Sequence, residues 1–197
     1  MKSMIAFSLL LVTAGVIATP APLVAQAKYH VKTAAVKVSG TSSLHDWTEE
    51  STQATVQSTF MLGKANNITE LSGLLFSMPV KSLKSEYKAM DNNTYKALNA
   101  DKYPTITYAA TSASVTAVNG TTFTIRSNGK LSIAGTTKDT EVIATLTMNA
   151  DKSITVVGTK KFKMTDYGVK PPTAVFGTIK TGNEITVSFN IKLVPSA

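Results

Sequence analysis

Residues 184–193 alternate between apolar and polar side chains with a period of two. The apolar set consists of Ile185, Val187, Phe189, Ile191 and Leu193. Because successive side chains of a strand point to opposite faces, this pattern predicts a strand with one apolar and one solvated face. We therefore expect the apolar set of this segment to face the protein interior.

Shorter stretches of the same alternation recur along the chain. They are Val36 with Val38, Phe123 with Ile125, Leu131 with Ile133, Val142 with Ala144, Leu146 and Met148, and Ile154 with Val156. Turn-forming residues separate several of them, at 119–120, 149–152 and 181–183. Asn128 and Gly129 predict a β-bulge inside one long strand, because the alternation resumes on both sides. Together these segments predict about eight antiparallel strands.

Eight strands with one dry face each form either an up-and-down barrel or a sandwich. Predicted strands of about ten residues exceed the usual five or six and favour an elongated barrel. The chain also contains 29 threonines, whose β-branched side chains suit a pleated, half-buried surface. The predicted fold class is all-β, an elongated eight-stranded antiparallel barrel.

In the middle of the chain the alternation gives way to helical spacing. Leu83, Tyr87 and Met90 form one stripe, and Lys81, Lys84 and Lys88 form another. Asn93 or Thr94 is expected to cap a second short helix that ends near Asn99. We predict a short helical insertion at about residues 81–99, which covers part of the barrel.

The N-terminal segment has the features of a cleavable leader. Residues 4–18 form an uncharged apolar run behind a positive start, shorter than the roughly 20 residues of a membrane-spanning helix. Pro20 and Pro22 interrupt it, and a small–x–small site ends at Ala27. We expect cleavage after Ala27 and export of a soluble domain, residues 28–197, to a bacterial periplasm. The alternative is an N-terminal membrane anchor.

The net charge of +8 rests on lysine, since Arg126 is the one arginine among 20 basic residues. Nucleic-acid recognition favours the forked guanidinium, whereas scattered ammonium groups keep a surface soluble. We therefore expect no nucleic-acid partner. The chain has no cysteine, which excludes a disulfide scaffold, a thiol nucleophile and a cysteine-ligated metal.

Candidate catalytic residues cluster at the end of the first predicted strand. Ser42, Ser43, His45 and Asp46 are the candidates for a hydrolase, and His30 is the only other histidine. Neighbours on an extended chain point to opposite faces, so this adjacency does not make a triad. We expect His45 and Trp47 to pack a strand start and bond to the backbone, and the pair at 49–50 to be a solvated edge. No metal site is expected.

Four blocks of sequence occur in a characteristic order, at residues 40–47, 98–108, 129–138 and 162–172. Together they resemble the YceI-like family of bacterial periplasmic proteins over nearly all of residues 28–197. The resemblance implies an extended, lipocalin-like barrel that holds a polyisoprenoid chain, such as an isoprenoid quinone or a related lipid. It implies no catalytic motif, so binding would be distributed over a lining.

From the alternation and this resemblance we assign expected roles. The predicted tunnel lining is Phe123, Ile125, Leu131, Ile133, Leu146, Ile185, Val187, Phe189 and Ile191. The predicted lid is Leu83, Tyr87, Met90 and Leu98, and Lys81, Lys84 and Lys88 are assigned to an anionic head group or an anionic membrane surface.

The expected function is sequestration or transport of an isoprenoid lipid, with no catalysis and no cofactor. The alternatives are a stress-related interaction module with a dry, packed barrel and, as the weakest, a hydrolase using His45. The oligomeric state stays open, with a homodimer as one outcome.

Overall fold

Antiparallel β-strands make up most of the protein, and the computed structural model describes residues 25–64 and 67–196. The strands are β1 Ala25–Ser42, β2 Trp47–Ser51, β3 Thr55–Leu62, β4 Ile68–Pro79, β5 Thr105–Ala117, β6 Thr122–Ile133, β7 Thr136–Met148, β8 Ile154–Lys163, β9 Thr173–Ala174 and β10 Ile179–Pro195. The helix α1 spans Lys88–Ala97, and short 3-10 turns span Val80–Ser82, Met164–Tyr167 and Val175–Gly177. The predicted leader lies outside the described residues except for Ala25–Ala27, which belong to β1.

Pairing between the first and the last long strand closes the sheet. The strand order is β2-β1-β3-β4-β5-β6-β7-β8-β10-β9, with β1 also paired to β10. β1 pairs with β3 through its first half and with β2 through its second half, so β2 and β3 share one position. β9 is a two-residue strand that pairs with the start of β10. The result is the predicted eight-stranded antiparallel barrel, of lipocalin-like type, and not a sandwich.

The two ends of the barrel are built differently. At one end, which we call the packed end, the side chains of Tyr29, Phe123 and Ile154 are almost completely buried. The Tyr29 ring lies edge-on to that of Phe60, with centroids 5.5 Å apart, and its hydroxyl donates to the Lys152 carbonyl. At the other, the helical end, lie α1, the β1–β2 turn and the segment between β8 and β10.

The predicted last strand is confirmed, but it begins earlier than expected. β10 continues through residues 181–183, so the turn predicted there is wrong, although its register against β1 shifts between Thr181 and Ile185. A Cβ on Gly182 would lie 2.4 Å from Thr41 Oγ1. The glycine is therefore needed for close approach of β1 and not for a turn.

The single long strand predicted around Gly129 is confirmed, but the bulge lies on the neighbouring strand β5 and not at Asn128 and Gly129. β6 is one long strand, and its register shifts where Gly129 faces Ala110 and Asn128 faces Ser112, which leaves Thr111 unpaired on β5. A Cβ on Gly129 would lie 2.7 Å from Tyr108 Cζ. The Tyr108 ring therefore covers Gly129 inside the barrel.

The insertion contains one short helix in place of the two predicted. Residues 83–87 are not helical, because the backbone of Lys84 pairs with that of Glu50 on β2. Asn93 and Thr94 lie inside α1 and cap nothing. Among the described residues, no helix is long and apolar enough to cross a membrane.

Candidate functional site

A cavity of about 560 Å³ occupies the barrel interior and extends to the helical end. Its wall consists mainly of inward-facing apolar side chains from the long strands, and residues of α1 cover part of it. The volume lies within the range of roughly 300–1,000 Å³ found for small-molecule sites. The barrel is thus neither filled by its own side chains nor open to solvent along its length.

The structure places most of the predicted lining on the cavity wall. Ile125, Leu131, Ile133, Leu146, Ile185, Val187, Phe189 and Ile191 all line the cavity. Phe123 does not line it and is fully buried at the packed end. That these side chains contact a ligand stays a prediction.

Part of the wall escaped sequence analysis. The missed residues on β3 and β4 are Val56, Phe60, Leu71, Leu74, Phe76 and Met78. On β4 the register shifts, so that Gly73 pairs with Thr59 and Leu71 with Phe60, which leaves Ser72 as an extra residue. This bulge breaks the period of two between Leu71 and Leu74, and the exposed Leu75 blurs the alternation that follows it. The weaker signal was the alternation Val56, Ser58, Phe60 on β3.

All four predicted lid residues line the cavity, but they differ in burial. Leu83 is 3% exposed and belongs to the core, whereas Tyr87 is 62% exposed. Met90 and Leu98 are half-buried. Leu83 and Tyr87 precede α1, so the predicted helical stripe of these residues is wrong. Both residues nevertheless border the cavity.

The predicted lysine stripe is also absent, because Lys81 and Lys84 precede α1. Lys81 pairs with Asp101 at 2.7 Å. Lys84 pairs with Asp91 at 3.5 Å and donates to the Tyr95 hydroxyl at 2.7 Å. Lys88 is exposed and has no ion pair within the described residues. Contact of these lysines with a head group or membrane stays a prediction.

Glu49 is buried in the cavity wall, contrary to the expected solvated edge. It is 1% exposed, and its Oε1 atom accepts a 2.6 Å hydrogen bond from Thr94 Oγ1 of α1. Burial raises the pKa of Glu49 to about 7, although the Thr94 hydrogen bond acts in the opposite direction. Glu50 is exposed, as expected, and pairs with Lys37. The alternation of Trp47, Glu49 and Ser51 indicates that Glu49 points inward, but β2 is too short to be recognised as a strand from the sequence.

The residues of the hydrolase hypothesis bond to backbone atoms, as expected for His45 and Trp47. His45 Nδ1 lies 2.6 Å from the Asp46 carbonyl oxygen, and Trp47 Nε1 donates to the Thr41 carbonyl at 3.0 Å. Ser42 Oγ donates to the His45 carbonyl. Within residues 25–64 and 67–196, no serine bonds to the His45 ring and no cluster of three metal-ligating side chains occurs.

Comparisons with known proteins agree with this architecture. A family model for the YceI-like domain matches residues 24–193. The structure of Burkholderia cenocepacia BcnA is similar, at 16% identity over 82% of this chain and 96% of BcnA, with a TM-score of 0.63. A polyisoprenoid-binding domain from Saccharophagus degradans, implicated in plant cell wall breakdown, is 11% identical over 85% and 98% of the two chains, with a TM-score of 0.65.

A third similar structure is the Campylobacter jejuni YceI protein, at 18% identity over 72% of this chain and 81% of that protein, with a TM-score of 0.52. No curated protein matches the chain. At these identities the structural likeness establishes a shared fold.

Proposed function

The chain belongs to the YceI-like domain family, and from this premise we propose that it binds an isoprenoid lipid inside its barrel without catalysing a reaction. The ligand is a polyisoprenoid or an isoprenoid quinone, held for sequestration or transport. The observation that carries the proposal is the 560 Å³ cavity with its largely apolar wall. The polyisoprenoid-binding domain of similar fold supports it by analogy.

Burial of an isoprenoid tail supplies affinity without specific polar contacts. Each buried methylene-sized group contributes about 0.8 kcal/mol. The cavity wall includes small residues such as Ala144 beside rings such as Phe189, and these side chains still leave about 560 Å³ of space. A fully packed barrel, the alternative considered from sequence, would leave no such space.

The two ends of the barrel give the ligand a direction. The packed end is blocked by buried side chains such as Phe123 and Ile154, whereas exposed residues border the cavity at the helical end. The tail therefore points toward the packed end, and the head group lies near α1 and β2.

We also propose that the domain is exported to the periplasm after cleavage at Ala27. β1 would then keep residues 28–42, including the pairs of Lys28, Tyr29 and His30 with β3. N-terminal sequencing of the protein from a periplasmic fraction tests this: a mature N-terminus at Lys28 is expected, and an intact Met1 would contradict it.

A chain-length series tests the binding function. Trp47 is the only tryptophan and lines the cavity, so its fluorescence reports occupancy. Affinity for geraniol, farnesol and geranylgeraniol is expected to rise steeply with each isoprene unit, because each adds about five buried carbons. The same weak affinity for all three, or no fluorescence change, would contradict a tail-binding cavity.

A further inference from the structure

Two oppositely charged side chains belong to the largely apolar cavity wall. Glu49 lies on β2 and Lys160 on β8, and both line the cavity. Val38 pairs with Glu49 on one side and with Val187 on the other, and Val187 pairs with Lys160. Directly paired residues of neighbouring strands point to the same face. The two charges therefore stand at the ends of one inward row of four side chains.

This row spans the cavity instead of bringing the charges together. Neighbouring strands lie about 4.8 Å apart, and the row takes three such steps around an eight-stranded barrel. The curvature of a small barrel turns the two ends of the row toward each other across the interior. Within the described residues no ion pair joins Glu49 to Lys160, so the space between them is available to a ligand.

Within the described residues, the two inward side chains lack the ion-pair partners that their outward neighbours have. Glu50 pairs with Lys37 at 3.6 Å, and Lys161 pairs with Glu184 at 2.7 Å, both on the outer surface. In contrast, no described residue bonds to the Oε2 atom of Glu49, and none pairs with the Lys160 ammonium. A charge removed from water is costly unless a polar group compensates it.

We propose that Glu49 and Lys160 form a head-group site for a neutral lipid head that carries both a hydrogen-bond donor and an acceptor. This inference rests on the proposed function, since the tail must occupy the cavity. A hydroxyl of the head donates to Glu49 Oε2, and Lys160 donates to a second oxygen. A hydroquinone ring, with hydroxyl groups on opposite edges, has this chemistry. An anionic phosphate gains Lys160 but meets the Glu49 carboxylate, so the site does not favour it.

Two charge-removing variants test the site in opposite directions. Glu49→Gln keeps an acceptor for Thr94, and Lys160→Met keeps the aliphatic stem of the lysine. The matched controls are Glu50→Gln and Lys161→Met, which make the same charge changes on the outer face. Thermal melting first establishes that each variant is folded.

The measurement is the affinity of each protein for geranylgeraniol and geranylgeranyl phosphate at pH 8.5, followed by Trp47 fluorescence. We expect Glu49→Gln to raise the ratio of phosphate to alcohol affinity about tenfold, which corresponds to about 1.4 kcal/mol. We expect Lys160→Met to lower that ratio severalfold, and both controls to leave it unchanged. A geranylgeranyl hydroquinone should lose affinity in both cavity variants relative to geranylgeraniol.

The outcomes separate this inference from the function on which it rests. If both lipids bind and their affinity ratio is the same in all five proteins, the head group does not lie between these charges and the inference is wrong. A shift of the ratio by the outer-face controls as large as by the cavity variants would also overturn it. If no lipid binds to the unmodified protein, the proposed function itself fails.

Discussion

Glu49 lies in the largely apolar cavity wall, and its carboxyl accepts a hydrogen bond from α1. Its carboxyl is covered by α1 and accepts from Thr94, and the other charged groups that act on it are Asp91 and Lys84. Lys84 is itself engaged by Asp91 and Tyr95. Burial therefore dominates, and the pKa of Glu49 rises from its ordinary value of 4.5 to about 7.

This shift predicts a pH-dependent stability. Because the folded protein holds the Glu49 proton more tightly than the unfolded chain, the contribution is fully present below about pH 4.5 and lost as the pH rises through 7. The change is at most about 3 kcal/mol. Denaturant unfolding of the ligand-free protein and of Glu49→Gln at pH 4.5 and 8 measures it. If the free energy of unfolding changed equally with pH in both proteins, Glu49 would not be the group that causes the pH dependence.

At the scale of elements, β10 sets the inner face of the barrel and α1 covers its open end. The Phe189 ring lies against Gly158 of β8, where an added Cβ would be 2.5 Å from Phe189 Cζ. α1 is attached through Thr94 to β2, and Ser85 bonds to Asp91 at the start of the helix. The barrel and its cover are therefore linked by few polar contacts.

The β10 register predicts a contrast between two adjacent positions. Phe189→Asp places an unpaired carboxylate in the cavity wall and is expected to lower the free energy of unfolding by several kcal/mol. Ser188→Asp lies on the outer face and should change it by less than about 1 kcal/mol. Denaturant titration of both variants measures the contrast, and similar midpoints would contradict the register.

We predict that substitutions of exposed lid residues affect lipid release, whereas substitution of the buried lid residue affects stability. Met90→Ser and Tyr87→Ser are expected to speed lipid release severalfold with little loss of stability, because neither side chain is buried. Leu83→Ser is expected to lower stability instead, by about 2–4 kcal/mol. Stopped-flow transfer of lipid to acceptor vesicles, together with thermal melting, distinguishes these effects. Unchanged release in Met90→Ser and Tyr87→Ser would show that they do not cover the ligand.

The elements with a clean period of two were predictable, and the irregular ones were not. The alternation in 184–193 led directly to β10 and its inner face. On β4 the bulge at Ser72 hid the wall, and the five residues of β2 were too few to show that Glu49 points inward. The helical spacing of residues 81–88 was overridden by the backbone pairing of Lys84 with Glu50, a long-range contact that no local pattern contains.

At the scale of the whole molecule, three of the seven large apolar side chains that are exposed among the described residues lie at the helical end. Leu44 is 65% exposed, and both Leu44 and Tyr87 border the cavity. Phe176 is fully exposed with a φ of 54°, between Thr173 and Ile179, which line the cavity. A strained and exposed phenylalanine is costly for folding alone. We call Leu44, Tyr87 and Phe176 the rim, and we expect it to touch the membrane if the protein exchanges lipid with a bilayer.

The rim predicts a defect in exchange without a defect in binding. Phe176→Ser is expected to slow uptake from anionic vesicles several-fold, because less apolar surface enters the membrane interface. Affinity for dispersed geranylgeraniol should be unchanged, because Phe176 does not line the cavity. Val157→Ser, on the outer wall of the barrel, is the control. Equal uptake rates in all proteins would show that the rim does not contact the membrane during exchange.

The most direct test of the account is what the native protein carries. Protein purified from its own host without detergent is extracted with organic solvent, and the extract and the intact complex are analysed by mass spectrometry. We expect one isoprenoid lipid per protein, with a neutral head group that bears both a hydrogen-bond donor and an acceptor. Recovery of no lipid, or of a lipid without an isoprenoid chain, would contradict it.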